Sequence, residues 1–145
     1  MSDASAAESN PEPRQSVIVG FDPGREKCGV AVMGLNRTLY LHEVVRSEVA
    51  IATLNTLCTQ YSVPLIVLGN QTTSKEWQQR LESLPPTIVP VDERYSTLEA
   101  RDRYWQMYPP RGLSRLWPQG LRTPPRPIDD LVAIILIERY LESVP

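Results

Sequence analysis

Apolar positions fall in short blocks along this chain, and their spacing switches between a period of two and a helical period. Val17-Ile18-Val19-Gly20-Phe21 is apolar on both faces and predicts a central strand. Asp22 ends it, and Pro23-Gly24 starts a turn. A second apolar block, Cys28 to Gly34, comes so soon that an antiparallel hairpin is expected. Thr38 to Val45 alternates, with Leu39 and Leu41 against Tyr40 and His42, and predicts a more exposed third strand. From Ser47 to Tyr61, Val49, Ala50, Thr53, Leu54 and Leu57 keep helical spacing. Leu65 to Gly69 reads as a buried strand. Ser74 to Leu84 reads as a helix carrying Trp77, Leu81 and Leu84 and stopped by Pro85-Pro86, and Thr87 to Val91 as a fifth strand. Ser96-Thr97-Leu98-Glu99 has the form of a capping box and opens a helix through roughly Met107. Pro109 to Pro127 predicts a long structureless loop, of the kind that is either functional or mobile. A final helix is expected from Ile128 to about Glu142.

This order predicts an α/β fold: a five-stranded mixed sheet, three antiparallel strands and then β/α units, flanked by helices. Residues 1–15 are small, polar and proline-bearing and are expected to form a disordered tail, leaving 16–145 as a single domain. The composition, 41% hydrophobic and 22% charged, is that of an ordinary soluble globular protein. The longest apolar run, Leu131 to Ile137, is far short of the roughly 20 residues that cross a bilayer. The N-terminus lacks the apolar core of a secretory signal, so a cytoplasmic setting without membrane contact is expected. Cys28 and Cys58 have no metal-ligand spacing, and the lone His42 is expected to be a surface or half-buried residue rather than a ligand.

A net charge of −2 argues neither for nor against nucleic acid, but its distribution is uneven. Arg94, Arg101, Arg103, Arg111, Arg115, Arg122 and Arg126 face only Glu99 and Asp102 in the same segment, with Tyr95, Tyr104, Trp105, Tyr108 and Trp117 between them. Guanidinium forks grip phosphates and aromatic faces stack on bases, so a nucleic-acid surface is one reading. The other is a loop that folds on its own prolines and tryptophans.

Three acidic islands add chemistry. Asp22 closes the first strand, Asp92-Glu93 the fifth, and Asp129-Asp130 open the last helix. Asp22 is expected at the C-terminal edge of the sheet, where sites of open α/β sheets gather. Asp92 and Glu93 are neighbours on a strand, so only one can aim at a site shared with Asp22. Asp129 and Asp130 can serve simply as helix-start acids, yet the apolar helix behind them would hold its first turn rigidly. Oxygen ligands delivered from separate elements suit a pair of Mg²⁺ or Mn²⁺ ions, the arrangement of a metal-dependent nuclease.

Three stretches also carry a resemblance. Ile18-Val19-Gly20-Phe21-Asp22-Pro23-Gly24 followed by Gly29-Val30-Ala31-Val32, and Val91-Asp92-Glu93-Arg94-Tyr95-Ser96-Thr97-Leu98-Glu99-Ala100-Arg101, resemble the YqgF/RuvX family. The helix from Ile128 to Leu141 is similar to that family's last helix. The resemblance covers most of residues 17–142. It implies an RNase H-like fold and activity as a Holliday-junction resolvase or as a nuclease processing the 5′ end of pre-16S rRNA. Carried over by position, Asp22, Glu93 and Asp129 are the expected catalytic metal ligands, with Asp130 beside them in the metal set and Asp92 a neighbour. Arg94 is expected to meet a phosphate or brace the carboxylates, with Arg101, Arg111, Arg115 and Arg122 as further nucleic-acid contacts. Two stretches depart from the family pattern: Arg25-Glu26-Lys27 after the first turn, and Asn70-Gln71-Thr72-Thr73 after the fourth strand.

The leading expectation is a nuclease on structured nucleic acid, with RNA favoured over branched DNA. A catalytically inactive nucleic-acid-binding module is the alternative from another class. A phosphotransferase of the actin-hexokinase type also begins with a strand and Asp-x-Gly, but it needs two such domains. The exposed third strand and the long loop leave a homodimer open.

Overall fold

The computed structural model of the chain describes residues 15–70 and 73–144. The expected tail therefore lies, but for Gln15, outside the described residues, as do Gln71 and Thr72 of the loop after the fourth strand. Strands β1 (Ser16–Asp22), β2 (Lys27–Gly34), β3 (Leu39–Arg46), β4 (Ser62–Gly69) and β5 (Thr87–Val91) form one sheet in the order β3-β2-β1-β4-β5. The β1/β2 and β2/β3 pairs are antiparallel, whereas β1/β4 and β4/β5 are parallel. The expected meander followed by β/α units is therefore present. Helices α1 (Ala50–Gln60), α2 (Ser74–Leu81), α3 (Ser96–Met107) and α4 (Asp129–Ser143) cover the sheet.

Strand alternation sorts the core into two layers. Val17, Val19 and Phe21 of β1 point to one side, where Leu54 and Leu57 of α1 and Trp77 and Leu81 of α2 meet them. Phe21 and Trp77 pack edge to face with centroids 5.1 Å apart. Ile18 points to the other side, into a layer made by Ala100 and Tyr104 of α3 and Leu131 to Ile137 of α4. The centre of β1 is thus buried on both faces, as its unbroken apolar run predicts.

Helix α4 has no polar face over Leu131 to Ile137, because every one of those residues is buried. Two glycines explain how. A Cβ on Gly20 would stand 2.4 Å from the Ala133 carbonyl oxygen, and one on Gly29 would stand 1.8 Å from that of Asp129. The helix backbone therefore rests directly on β1 and β2, and its flanks sink to the depth at which neighbouring elements close over them.

Three expectations change. The capping box does not form: Tyr95, in the left-handed region with φ 63°, occupies the cap position and no side chain caps the helix. Ser96 is instead the first helical residue and is buried, so its hydroxyl cannot reach forward as an N-cap would. The loop after α3 is not structureless, since it contains short 3₁₀ turns at Gly112–Leu116 and Gln119–Leu121. The fourth strand begins at Ser62 rather than Leu65, because its first residues extend the pairing with β1 (Ser62 opposite Ser16) and Ser62 N–H donates to the Gln15 carbonyl (2.8 Å).

Replacing Gly29 by Ala should lower stability by about 3 kcal/mol, because a methyl group meets backbone that can shift only with the whole helix. Gly120→Ala, with nothing within 4 Å of the added carbon, should stay within about 0.5 kcal/mol. Urea denaturation of both variants checks this; equal stabilities would show that the helix does not bear on the sheet.

Candidate metal centre and nucleic-acid interface

Because β1, β4 and β5 run parallel, their C-terminal ends share one edge of the sheet. Asp22 ends β1, Gly69 ends β4, and Asp92 and Glu93 follow the last residue of β5. The start of α4 reaches the same edge, since Gly29, against which the Asp129 carbonyl rests, is the register partner of Asp22.

Each acidic pair divides. Glu93 is buried (6% exposed), and its carboxylate lies over Gly69, where a Cβ would come within 2.0 Å of Oε2. Asp92 is exposed, and its Oδ1 accepts from the Arg94 N–H at 3.0 Å. Both acids follow the end of β5 rather than lying within it, but the outcome expected from alternation holds. Glu93 turns inward and Asp92 outward.

Asp129 and Asp130 part in the same way. Asp129 hydrogen-bonds the carboxyl of Asp22. Asp130 is buried (2% exposed) and spends its oxygens elsewhere: Oδ2 lies 2.7 Å from His42 Nδ1, and Oδ1 accepts from Arg126 Nη1 at 3.0 Å. Both oxygens of Asp130, expected among the metal ligands, thus have side-chain partners here. Burial alone would raise its pKa, but the bonds and charges of Arg126 and His42 outweigh burial and hold it below the ordinary range. His42 is half-buried, as expected, yet its link to Asp130 was not legible: nothing in sequence ties residues so far apart.

Asp22 carries the electrostatic strain of the site. Burial first, then the charges of Asp129 and Glu93, and then the hydrogen bond to Asp129 push its pKa from 3.8 to about 8. Asp129 is also raised, mainly by burial, with the Lys27 ammonium among the groups opposing the rise. A cation bound between the half-buried Asp22 and Asp129 would offset the burial and repulsion that raise both pKa values. The donor set fits Mg²⁺ or Mn²⁺ in kind, being all carboxylate oxygen and delivered by three separate elements. Among the described residues no group of three or more His, Cys, Asp or Glu side chains is placed so that it could hold a metal ion.

Sequence reasoning also missed three supports. Arg139 of α4 donates to the Asp92 carbonyl (2.7 Å) and to Glu99 Oε1 (2.6 Å), tying the turn that presents Glu93 to the last helix. Asn70 N–H donates to the Val91 carbonyl (3.1 Å), joining the ends of β4 and β5. Tyr95 bends the chain with its left-handed backbone. A cleft of about 420 Å³ opens beside Glu93, lined by Asn70 and residues 92–98.

The arginine segment splits. Arg94, Arg111 and Arg115 are exposed, while Arg101 and Arg122 are half-buried. Arg103 pairs with Glu138 (2.7 Å) and Arg126 with Asp130, so both brace α4. Arg122 Nη2 donates to the Arg115 carbonyl (3.2 Å), and its guanidinium stands 6.0 Å from the Trp105 ring centroid.

Comparison with solved structures agrees with this architecture. Thermus thermophilus RuvC in complex with a Holliday junction substrate superposes with a TM-score of 0.55 at 16% identity, over 84% of this chain and 90% of that one. The fowlpox virus resolvase in complex with substrate Holliday junction DNA gives 0.56 at 12% identity, over 88% and 97%. The fold is RNase H-like. A second structure of Thermus thermophilus RuvC gives 0.51 at 13% identity, over 87% and 95% of the two chains. No family model and no curated protein sequence matches this chain. Among the described residues no helix is long and apolar enough to cross a membrane.

The raised pKa of Asp22 has a measurable consequence. The unfolded chain releases the Asp22 proton near 3.8 and the native chain holds it to about 8. Between those values the native state binds more protons, so each rise in pH favours unfolding. In chelator, the melting temperature should fall as pH rises from about 5 to 8, and Asp22→Asn should flatten that slope. A wild-type profile as flat as the variant's would remove the buried proton.

Proposed function

We propose that this chain is a metal-dependent endonuclease that hydrolyses phosphodiester bonds in structured nucleic acid. The observation that carries the reading is that Asp22, Glu93 and Asp129 come to one sheet edge, where burial and the charges of Asp129 and Glu93 raise the pKa of Asp22 to about 8. Those three carboxylates are the proposed ligands of Mg²⁺ or Mn²⁺. A divalent ion held there would lower the pKa of a water and offset charge developing on the phosphate. The protein's own part is positional. Gly69 makes room for Glu93, Gly29 sets Asp129 beside Asp22, and Arg94 stands at the cleft beside Glu93, where a phosphate oxygen can meet its fork. Neither Cys28 nor Cys58 is in a disulfide, which suits a reducing cytoplasm.

The 5′ end of pre-16S rRNA is the substrate supported by the Val91 to Arg101 motif. Resolution of a four-way DNA junction is the second reading, favoured by the fold likeness to RuvC and to the fowlpox virus resolvase, both in complexes with such junctions. Labelled rRNA precursor and a four-way DNA junction, incubated side by side with Mg²⁺ or Mn²⁺, separate them. Cleavage of one substrate, lost in chelator and in Asp22→Asn, is the expected result. Binding of either without cleavage under any condition would leave an inactive nucleic-acid-binding module.

Glu93→Gln should lower the cleavage rate at least about 100-fold, whereas Asp92→Asn should stay within about 3-fold, since only Glu93 turns inward. The reverse order would place the wrong acid in the site. The double variant Arg111→Ala, Arg115→Ala should weaken binding, retain turnover at saturating substrate, and reduce the log–log salt slope by up to about 2. An unchanged slope would remove these arginines from the interface.

A further inference from the structure

We propose that the loop between α3 and α4 holds a pocket for a single unpaired nucleobase. This rests on the nucleic-acid reading above and narrows its substrate class to strands with a base outside the duplex stack. The pocket, about 460 Å³, is lined by Trp105, Trp117, Leu121, Arg122 and Thr123. That volume lies within the usual range for small-ligand sites. Its wall is fixed by polar bonds to α3: Trp105 Nε1 donates to the Arg122 carbonyl (3.4 Å), and Gln119 Nε2 donates to Asp102 Oδ1 (2.8 Å). Its rim is open, with Trp117 59% and Leu121 69% exposed.

An open apolar rim calls for an occupant, and charge chooses among them. From residue 103 to 128 the chain has five arginines (103, 111, 115, 122 and 126) and no acid. Of these, Arg111 and Arg115 are exposed on the same loop as the pocket. A polyanion that also carries flat apolar faces satisfies both features, and nucleic acid is that chemistry. Indole faces stack on a base, the Thr123 hydroxyl can donate to or accept from its edge, and the nearby guanidiniums can take the flanking phosphates. A base inside a duplex has both faces covered by its neighbours. Only an unpaired one, in a bulge, loop or branch, offers a face to a protein. None of this uses the carboxylate site, so the pocket acts as a reader of substrate shape away from the chemistry.

The test uses the full chain in chelator, so that no cleavage intervenes, with a hairpin duplex carrying one bulged 2-aminopurine and the same hairpin without the bulge. Wild-type protein should bind the bulged form about 10-fold more tightly, the scale of one base–aromatic stack, and should change the 2-aminopurine emission on binding. Trp117→Ala should lose the preference and the emission change while keeping the wild-type melting temperature, and Trp117→Phe should restore part of both. Equal affinity for the two hairpins with unchanged emission would overturn the pocket and leave the nuclease reading standing. Failure to bind either hairpin, or the rRNA precursor and the four-way junction used above, would overturn both.

Discussion

The contact on which the rest of the structure depends is that of a helix backbone with a bare stretch of sheet. Helix α4 lies on β1 and β2 at Gly20 and Gly29, where side chains on the strands would collide with the carbonyl oxygens of Ala133 and Asp129. Because no strand side chain stands between helix and sheet at these two points, the neighbouring elements close over the flanks of α4 from Leu131 to Ile137. The same contact builds the site. Gly29 is paired with Asp22 across β1 and β2, so the glycine that lets the helix down also sets its first turn beside the end of the central strand.

Around that contact, each acidic pair has one member turned to the sheet edge and one used for structure. Asp130 locks the first turn of α4 to β3 through His42 and to the preceding loop through Arg126. Asp129, one residue earlier, is left to Asp22. At the other end of the site, Asp92 engages the Arg94 backbone and Glu93 points over Gly69. Arg139 joins the two ends, since it reaches from α4 to the turn that carries Glu93. Adjacent residues diverge at a helix start and beyond a strand end, so this division is a geometric consequence of where the elements terminate.

The arginine-rich segment shows how one composition can serve two ends. Arg103 and Arg126 are drawn into ion pairs that hold α4, and Arg122 is folded onto Trp105 and the loop backbone. Arg94, Arg111 and Arg115 stay at the surface. Sequence offered two readings of this stretch, a self-folded loop and a binding surface; the ion pairs and the Arg122 contacts are those of a self-folded loop, and the binding surface is the reading proposed above for the exposed arginines. Leu113 and Leu116, both 80% exposed, add apolar surface beside the arginines that remain outside.

The strand and helix pattern was legible because burial on one or two faces imposes its period directly on the chain. The unbroken apolar run of β1 and the all-apolar α4 each gave their burial away in advance, whereas the alternation read in β3 did not, since Leu39 is exposed and Tyr40, Leu41 and His42 are all half-buried. The three acidic stations were legible too, since each sits where a periodic block begins or ends. What tertiary structure alone decided is which acid of each pair faces which partner. His42 and Asp130 are 88 residues apart, and Arg139 meets the Asp92 carbonyl from 47 residues away. No local spacing encodes such contacts, because they arise only when the sheet order brings strand ends and a helix start together. The capping box failed for the same reason. Its residues allow the motif, but the left-handed turn at Tyr95 and the burial of Ser96 answer to the packing of α3 rather than to the local sequence.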